Sequence, residues 1–166
     1  MYRKIEDFVS DWHSEAAATL KIFSNISEEV KSKKAGDNIR SLNRLAWHIT
    51  QTLTEMPARA GILEHDILED EPIPDSFKEI MEVYEKHSNE LLRLIQEKWT
   101  DEGLTEEIQV YGQSWERRKI LSVLVFHQTH HRGQMTILMR LENLPVPGVY
   151  GPSKEEWSKY GMEAME

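Results

Sequence analysis

The chain contains no cysteine. That absence excludes a disulfide framework, a thiolate metal ligand and a cysteine nucleophile, so any sulfur chemistry must use a thiol brought by another molecule. Positive charge is also short. Lys and Arg number 20 against 29 Asp and Glu, a formal charge of −9 that repels a phosphate backbone, and no helix face gathers a dense Lys/Arg stripe. Lys31, Lys33 and Lys34 cluster only at a predicted helix end, where cations favour the dipole. Nucleic acid is therefore not an expected partner. Long hydrophobic runs are missing too: the longest, residues 120–126, is interrupted by Ser122 and is too short to span a bilayer. Met1-Tyr2-Arg3-Lys4 leads at once into Glu6 and Asp7, so no signal peptide is predicted and the expected location is cytoplasmic.

What remains is an ordinary globular composition. With 166 residues, 39% apolar and 30% charged, the chain suits one domain over 1–166, and no repeat or low-complexity tract divides it. Apolar residues recur at steps of three and four through Tyr2, Ile5, Val9, Trp12, Ala16, Thr19, Phe23 and Ile26, which predicts a first helix. Residues 31–36 form a polar connection, and Asp37 is the expected cap of a second helix carrying Leu42, Leu45, Ile49, Leu53 and Met56. Pro57 should kink or restart that helix. Residues 61–74 are acidic, lack apolar rhythm and read as a long solvated connection. Asp75 is placed as the cap of a third helix through Phe77, Ile80, Tyr84, Leu91, Leu94, Ile95 and Trp99. Residues 100–113 connect onward, with a possible extended piece at Ile108-Gln109-Val110-Tyr111, and Ser114 is placed as the next cap. Ser153-Lys154-Glu155-Glu156 has the form of a capping box and predicts a short C-terminal extra helix bearing Trp157 and Tyr160. The fold class expected is all-α, a four-helix bundle in which each helix buries one stripe.

The fourth predicted helix, residues 114–143, carries the chemistry. Its seam runs through Ile120, Leu124, His127, His131, Gln134, Leu138 and Leu141, so two of the inward positions are histidine, one turn apart on one face. That is a metal-ligand spacing. A third imidazole is available from His48, one step off the apolar line of the second helix and therefore at the edge of its seam. A pair of core histidines can also be plain hydrogen-bonded core residues. Against this, no Asp or Glu shares their stripe to satisfy them, and each unpaired imidazole would cost about 1–3 kcal/mol of desolvation. His130 points about 100° away from His131 and is placed beside the site, not in it. His13, His65 and His87 lie off the apolar lines and are expected at the surface.

At this point the residues resemble a known family. His48, the run Phe126-His127-Gln128-Thr129-His130-His131-Arg132-Gly133-Gln134 and the tail Pro147-Gly148-Val149-Tyr150-Gly151-Pro152-Ser153 are similar to the DinB/YfiT-like metalloenzymes, over essentially the whole chain. The resemblance implies an up-down-down-up bundle, a divalent metal, zinc or nickel, on His48, His127 and His131, and a homodimer. It also implies a thiol-dependent S-transferase using a low-molecular-weight thiol, in which the metal activates sulfur for attack on a small-molecule electrophile.

Two alternatives stay open: a hydrolase using metal-bound water, and a non-catalytic, stress-induced metal-binding bundle. Glu55, seven residues after His48 on the same edge, is the one candidate general base, and a solvated carboxylate is its plain alternative. Gln134 is a candidate for holding a water or a ligand ring through its amide. Arg132 is expected to brace the fold through a carboxylate. Gly133 is expected to let a neighbouring helix approach, and one of the tryptophans is a candidate wall for a pocket.

Ligand count sets the first prediction. His48→Ala, His127→Ala and His131→Ala should each abolish stoichiometric metal binding by elemental analysis, whereas His13→Ala and His87→Ala should not. If His130→Ala proves as damaging as His131→Ala, the facing pair has been misassigned.

Overall fold

A computed structural model describes residues 1–164, so the last two residues of the expected 1–166 domain lie outside the described residues. The chain is mostly helical: α1 Ile5–Phe23, α2 Leu42–Arg59, α3 Phe77–Lys98 and α4 Arg117–Leu141, with short 3-10 helices at Glu102–Thr105 and Lys154–Tyr160. The all-α expectation missed one feature. Between α3 and α4, β1 Glu107–Val110 pairs antiparallel with β2 Gln113–Glu116 around Tyr111 and Gly112, both at positive φ. Ser114, placed by sequence as a helix cap, therefore lies in β2, and the helix starts three residues later behind Glu116.

Each of α1 and α2 packs against both α3 and α4. Aromatic and aliphatic side chains fill the space between them, including Phe8, Trp12, Phe23, Ile49, Leu53, Ile80, Tyr84 and Leu124. In α1 the fully buried position is Phe8, not its neighbour Val9, because Phe8 stacks between Tyr2 and Trp12 at centroid distances of 5.3 and 5.5 Å. Caps also moved. Helix α2 begins behind Ser41 instead of Asp37, and α3 begins behind Ser76 instead of Asp75. Ser76 and Glu79 close a reciprocal capping box, which satisfies two backbone donors and outweighs what Asp75 could offer.

Pro57 neither restarts nor visibly breaks α2. It sits in the last turn, where one lost backbone bond costs little, and the chain leaves the helix through Gly61 at φ 72°. The following connection is less solvated than its acidic sequence suggests. Ile62 and Leu68 are buried, and the carbonyls of Ile62, Leu68 and Glu71 accept from Lys98, Gln51 and Trp47. Its ends are thereby tied to α2 and α3.

Helix α4 is turned away from the seam that its sequence suggests. Ile120 and Leu124 of that seam are buried as expected, but from there the buried line runs through Gln128, Arg132, Met135 and Met139, with His131 at its margin. Gln134 and Leu141 are exposed, and His127 and Leu138 are half-buried. Two of the buried positions are polar and are gripped from other helices, although the Gln128 side-chain nitrogen is buried without a hydrogen-bond partner. The Gln128 side-chain oxygen accepts from Thr19 of α1 at 2.8 Å and from the Tyr84 hydroxyl of α3 at 2.7 Å. Arg132, 3% exposed, pairs with Glu15 and donates to the Glu15 carbonyl and the Thr19 hydroxyl. Arg132 thus braces the fold as its expected role required. Gly133, by contrast, faces open space, with nothing within 4 Å of where a Cβ would stand.

The tail closes over this brace. Tyr150 donates to Glu15 and accepts from Arg132, while Lys21 donates to the Gly148 carbonyl. Glu156 accepts from the backbone of Gly148 and Ser153, which orders the final 3-10 turns. Trp157 is half-buried there, whereas Tyr160 stays 64% exposed and does not return to the body.

Removing the carboxylate from Glu15 would leave the Arg132 charge buried without its partner. Glu15→Ala should lose about 3 kcal/mol of unfolding free energy, measured by urea denaturation. A loss below about 1 kcal/mol would show that the pair does not brace α1 against α4.

Candidate metal centre

His48 is delivered by α2 and His127 and His131 by α4, two helices that pack directly. On α2 the core line of Leu42, Leu45, Ile49, Leu53 and Met56 faces inward, which leaves His48 half-buried at its edge. On α4 the outward rotation puts His127 and His131 at the matching edge. The three rings meet there, with centroids 4.9 Å apart for His48 and His127, 4.7 Å for His48 and His131, and 4.4 Å for His127 and His131. One ring nitrogen from each lies within 4.8 Å of the others.

This geometry fits a cation better than it fits a set of core histidines. The Nε2 atoms of His127 and His131 are 3.2 Å apart, close to the roughly 3.3 Å between two imidazole nitrogens on one tetrahedral zinc. Among the described residues His127 has no hydrogen-bond partner beyond that 3.2 Å contact with His131, and its Nδ1 is buried without one. Among the described residues no carboxylate belongs to the cluster. Three neutral donors would leave a divalent ion its charge and room for a further ligand.

A short chain of hydrogen bonds aims one of the rings. Gln134 gives its oxygen to His131 Nδ1 at 2.7 Å and its amide nitrogen lies 3.1 Å from His130 Nε2. With Nδ1–H donating to that oxygen, His131 presents an unprotonated Nε2 to the cluster. His130 is accordingly beside the centre, touching it through Gln134 and through its ring edge against His131, centroids 4.9 Å apart.

All three imidazoles are held neutral. Burial is the main cause throughout, and it pushes His48 down to about 4 and His127 to about 3, with further lowering from neighbouring histidines and Arg40. His131 is lowered by burial as well, against the opposing pull of its bond to Gln134. Neutral imidazole is the form that ligates.

Glu55 lies elsewhere on the edge of α2. Its carboxylate accepts from the Tyr111 hydroxyl at 3.0 Å and faces Arg59 at 3.6 Å. His87, expected at the surface, is buried on α3 at 7% exposure, whereas His13 and His65 are exposed. No tryptophan lines the cavity beside the cluster. Its walls are aliphatic, from Leu45, Ile137, Leu138 and Leu141, and it is completed by Asn38, Ile39 and Arg40 from the connection ahead of α2. Sequence reading puts those last three residues inside the second helix, behind Asp37, and so does not see them as a cavity wall.

Comparison with known proteins follows the same lines. A model of the DinB family matches residues 1–164. The uncharacterized protein YrdA of Bacillus subtilis strain 168 is 37% identical over 164 residues, 99% of this chain and 98% of that protein. A DinB-like protein from Bacillus cereus ATCC 10987 superposes with a TM-score of 0.83 at 35% identity, over 90% of this chain and 100% of the other. The DinB-like protein YjoA of Bacillus subtilis shares the fold at 20% identity, with a TM-score of 0.66 over 84% of this chain and 96% of its own.

The depressed histidines make stability pH-dependent in the metal-free protein. Unfolded histidines take up protons near 6.5, and the folded His48 and His127 do so only near 4 and 3. The unfolded state therefore binds more protons over that interval, and stability falls as pH drops from about 6.5 towards 4. Calorimetry should show Tm declining already between pH 6.5 and 5, with a shallower decline in His127→Asn. Equal slopes in the two proteins would contradict the burial cost assigned to His127.

Proposed function

Because the chain belongs to the DinB family, we propose that His48, His127 and His131 hold a divalent cation, zinc or nickel, and that the protein is a thiol-dependent S-transferase. The observation that carries this reading is the convergence of three neutral imidazoles beside an aliphatic cavity. When bound, such an ion supplies the Lewis acidity that keeps a thiol ionised at neutral pH. The absence of cysteine means that no thiol of the protein competes for that position. The small-molecule electrophile then occupies the cavity, where the aliphatic walls exclude water from the thiol.

Gln134 is a positioning residue in this scheme, since its oxygen holds the His131 ring by Nδ1. Glu55 is the weaker of the two candidates. Hydrolysis would need it as a free base, and its carboxylate is engaged by Tyr111 and Arg59; transfer of an ionised thiol needs no such base.

The helices are taken as an up-down-down-up four-helix bundle. Its support is that α2 adjoins α3 and α4 while residues 60–76 provide a long crossover between α2 and α3. A homodimer through helix faces belongs to the same proposal, with Phe126, 68% exposed on α4, available to it. So does a cytoplasmic location. No helix among the described residues is long and apolar enough to cross a membrane.

The cobalt(II) form separates the readings. Addition of a low-molecular-weight thiol such as glutathione or bacillithiol should produce a sulfur-to-cobalt absorption band, and His131→Ala should abolish it. Turnover of activated esters with no thiol band would favour the hydrolase. Neither response, with a large fall in Tm on chelation, would leave a structural metal.

A further inference from the structure

The cavity beside the histidines has a volume of about 600 Å³, in the range that takes a whole small molecule. Its lining is unequal in charge. Ile39, Leu45, Ile137, Leu138 and Leu141 make it apolar, His131 and Gln134 mark the side of the metal centre, and Arg40 brings the single formal charge. Among the described residues no Asp or Glu lines it, although acidic residues outnumber basic ones in the chain by 29 to 20.

Arg40 also stands apart from the other arginines. Arg59, Arg93, Arg117, Arg118, Arg132 and Arg140 face carboxylates, and Arg44 donates to Gln51. Among the described residues only Arg3 and Arg40 lack such a partner, and of these two Arg40 is the one in a cavity wall. A guanidinium on the wall of a cavity that His131 also lines works against a cation-binding cluster, since it repels a metal ion held there. An anion entering the cavity would turn this repulsion into attraction on both sides.

We propose that Arg40 is the anion-recognition residue of this site, and that the cavity takes a small monocarboxylate with an apolar body, its carboxylate paired with the guanidinium and its aliphatic part along Leu45, Leu138 and Leu141. One planar fork matches one carboxylate in a two-bond pair, whereas a phosphate group's extra charge and oxygens call for donors that this lining lacks. The proposal gives a substrate class to the site described above and rests on that reading only for which end of the ligand reacts.

The test uses the metal-free protein, so that it does not depend on metal loading. Titration of isotope-labelled protein with hexanoate, followed by NMR, should give saturable shifts at Arg40 and Leu45, with affinity about fivefold or more above that for hexan-1-ol. Arg40→Gln should erase that difference without changing hexan-1-ol binding, and Arg40→Lys should restore part of it. Equal affinity for the acid and the alcohol, an unchanged preference in Arg40→Gln, or tighter binding of hexylphosphonate than of hexanoate would each overturn the assignment. Zinc stoichiometry on the same preparation reports separately: hexanoate bound through Arg40 with no zinc uptake would support this proposal and sink the metal reading alone.

Discussion

The rotation of α4 about its own axis is held by two polar side chains whose hydrogen-bond partners lie on other helices. Gln128 is gripped by Thr19 and Tyr84 from two other helices, and Arg132 by Glu15 and Thr19 from α1. Neither residue can turn outward without leaving those partners unpaired in the core, a penalty of kcal/mol size for each. The position of every other α4 residue follows. His127 and His131 are carried to the margin of the core, at the border with α2, instead of its centre.

That placement accounts for the character of the metal centre. At the centre of the core the imidazoles would be walled by aliphatic carbon; at the surface they would be protonated near their ordinary value. At the margin, burial holds them neutral while one of them, His131, stays open to the cavity. The same margin exposes Gln134, which can then bridge His130 and His131 and select the tautomer of the latter. The brace and the centre are thus two faces of one helix, related by the step between Gln128 and His127 and between Arg132 and His131.

Much of the helical content could be read from spacing, because steps of three and four are a direct consequence of helical geometry. The lines through Leu42, Leu45, Ile49 and Met56 and through Phe77, Ile80, Tyr84 and Ile95 are buried where the pattern put them. Reading failed where two residues competed locally. Asp37 and Ser41, Asp75 and Ser76, and Phe8 and Val9 are pairs whose winner depends on a partner elsewhere in the chain, such as Glu79 for Ser76 or Tyr2 and Trp12 for Phe8. Of the hairpin at residues 107–116, the first strand was legible as the extended piece at residues 108–111, whereas the second hid behind a polar sequence with no buried position.

The sequence by itself determined which residues could ligate. An i, i+4 histidine pair on a helix and a third histidine at the edge of another are local facts, independent of how the helices meet. Only the tertiary structure decided that the three share one point, that His87 is buried and Gly133 is not, and that Arg40 looks into the same cavity. Periodicity specifies a face on each helix. The azimuth at which that face meets its neighbours is chosen by packing and by the pairing of Gln128 and Arg132, whose partners lie more than a hundred residues away along the chain for Thr19 and Glu15.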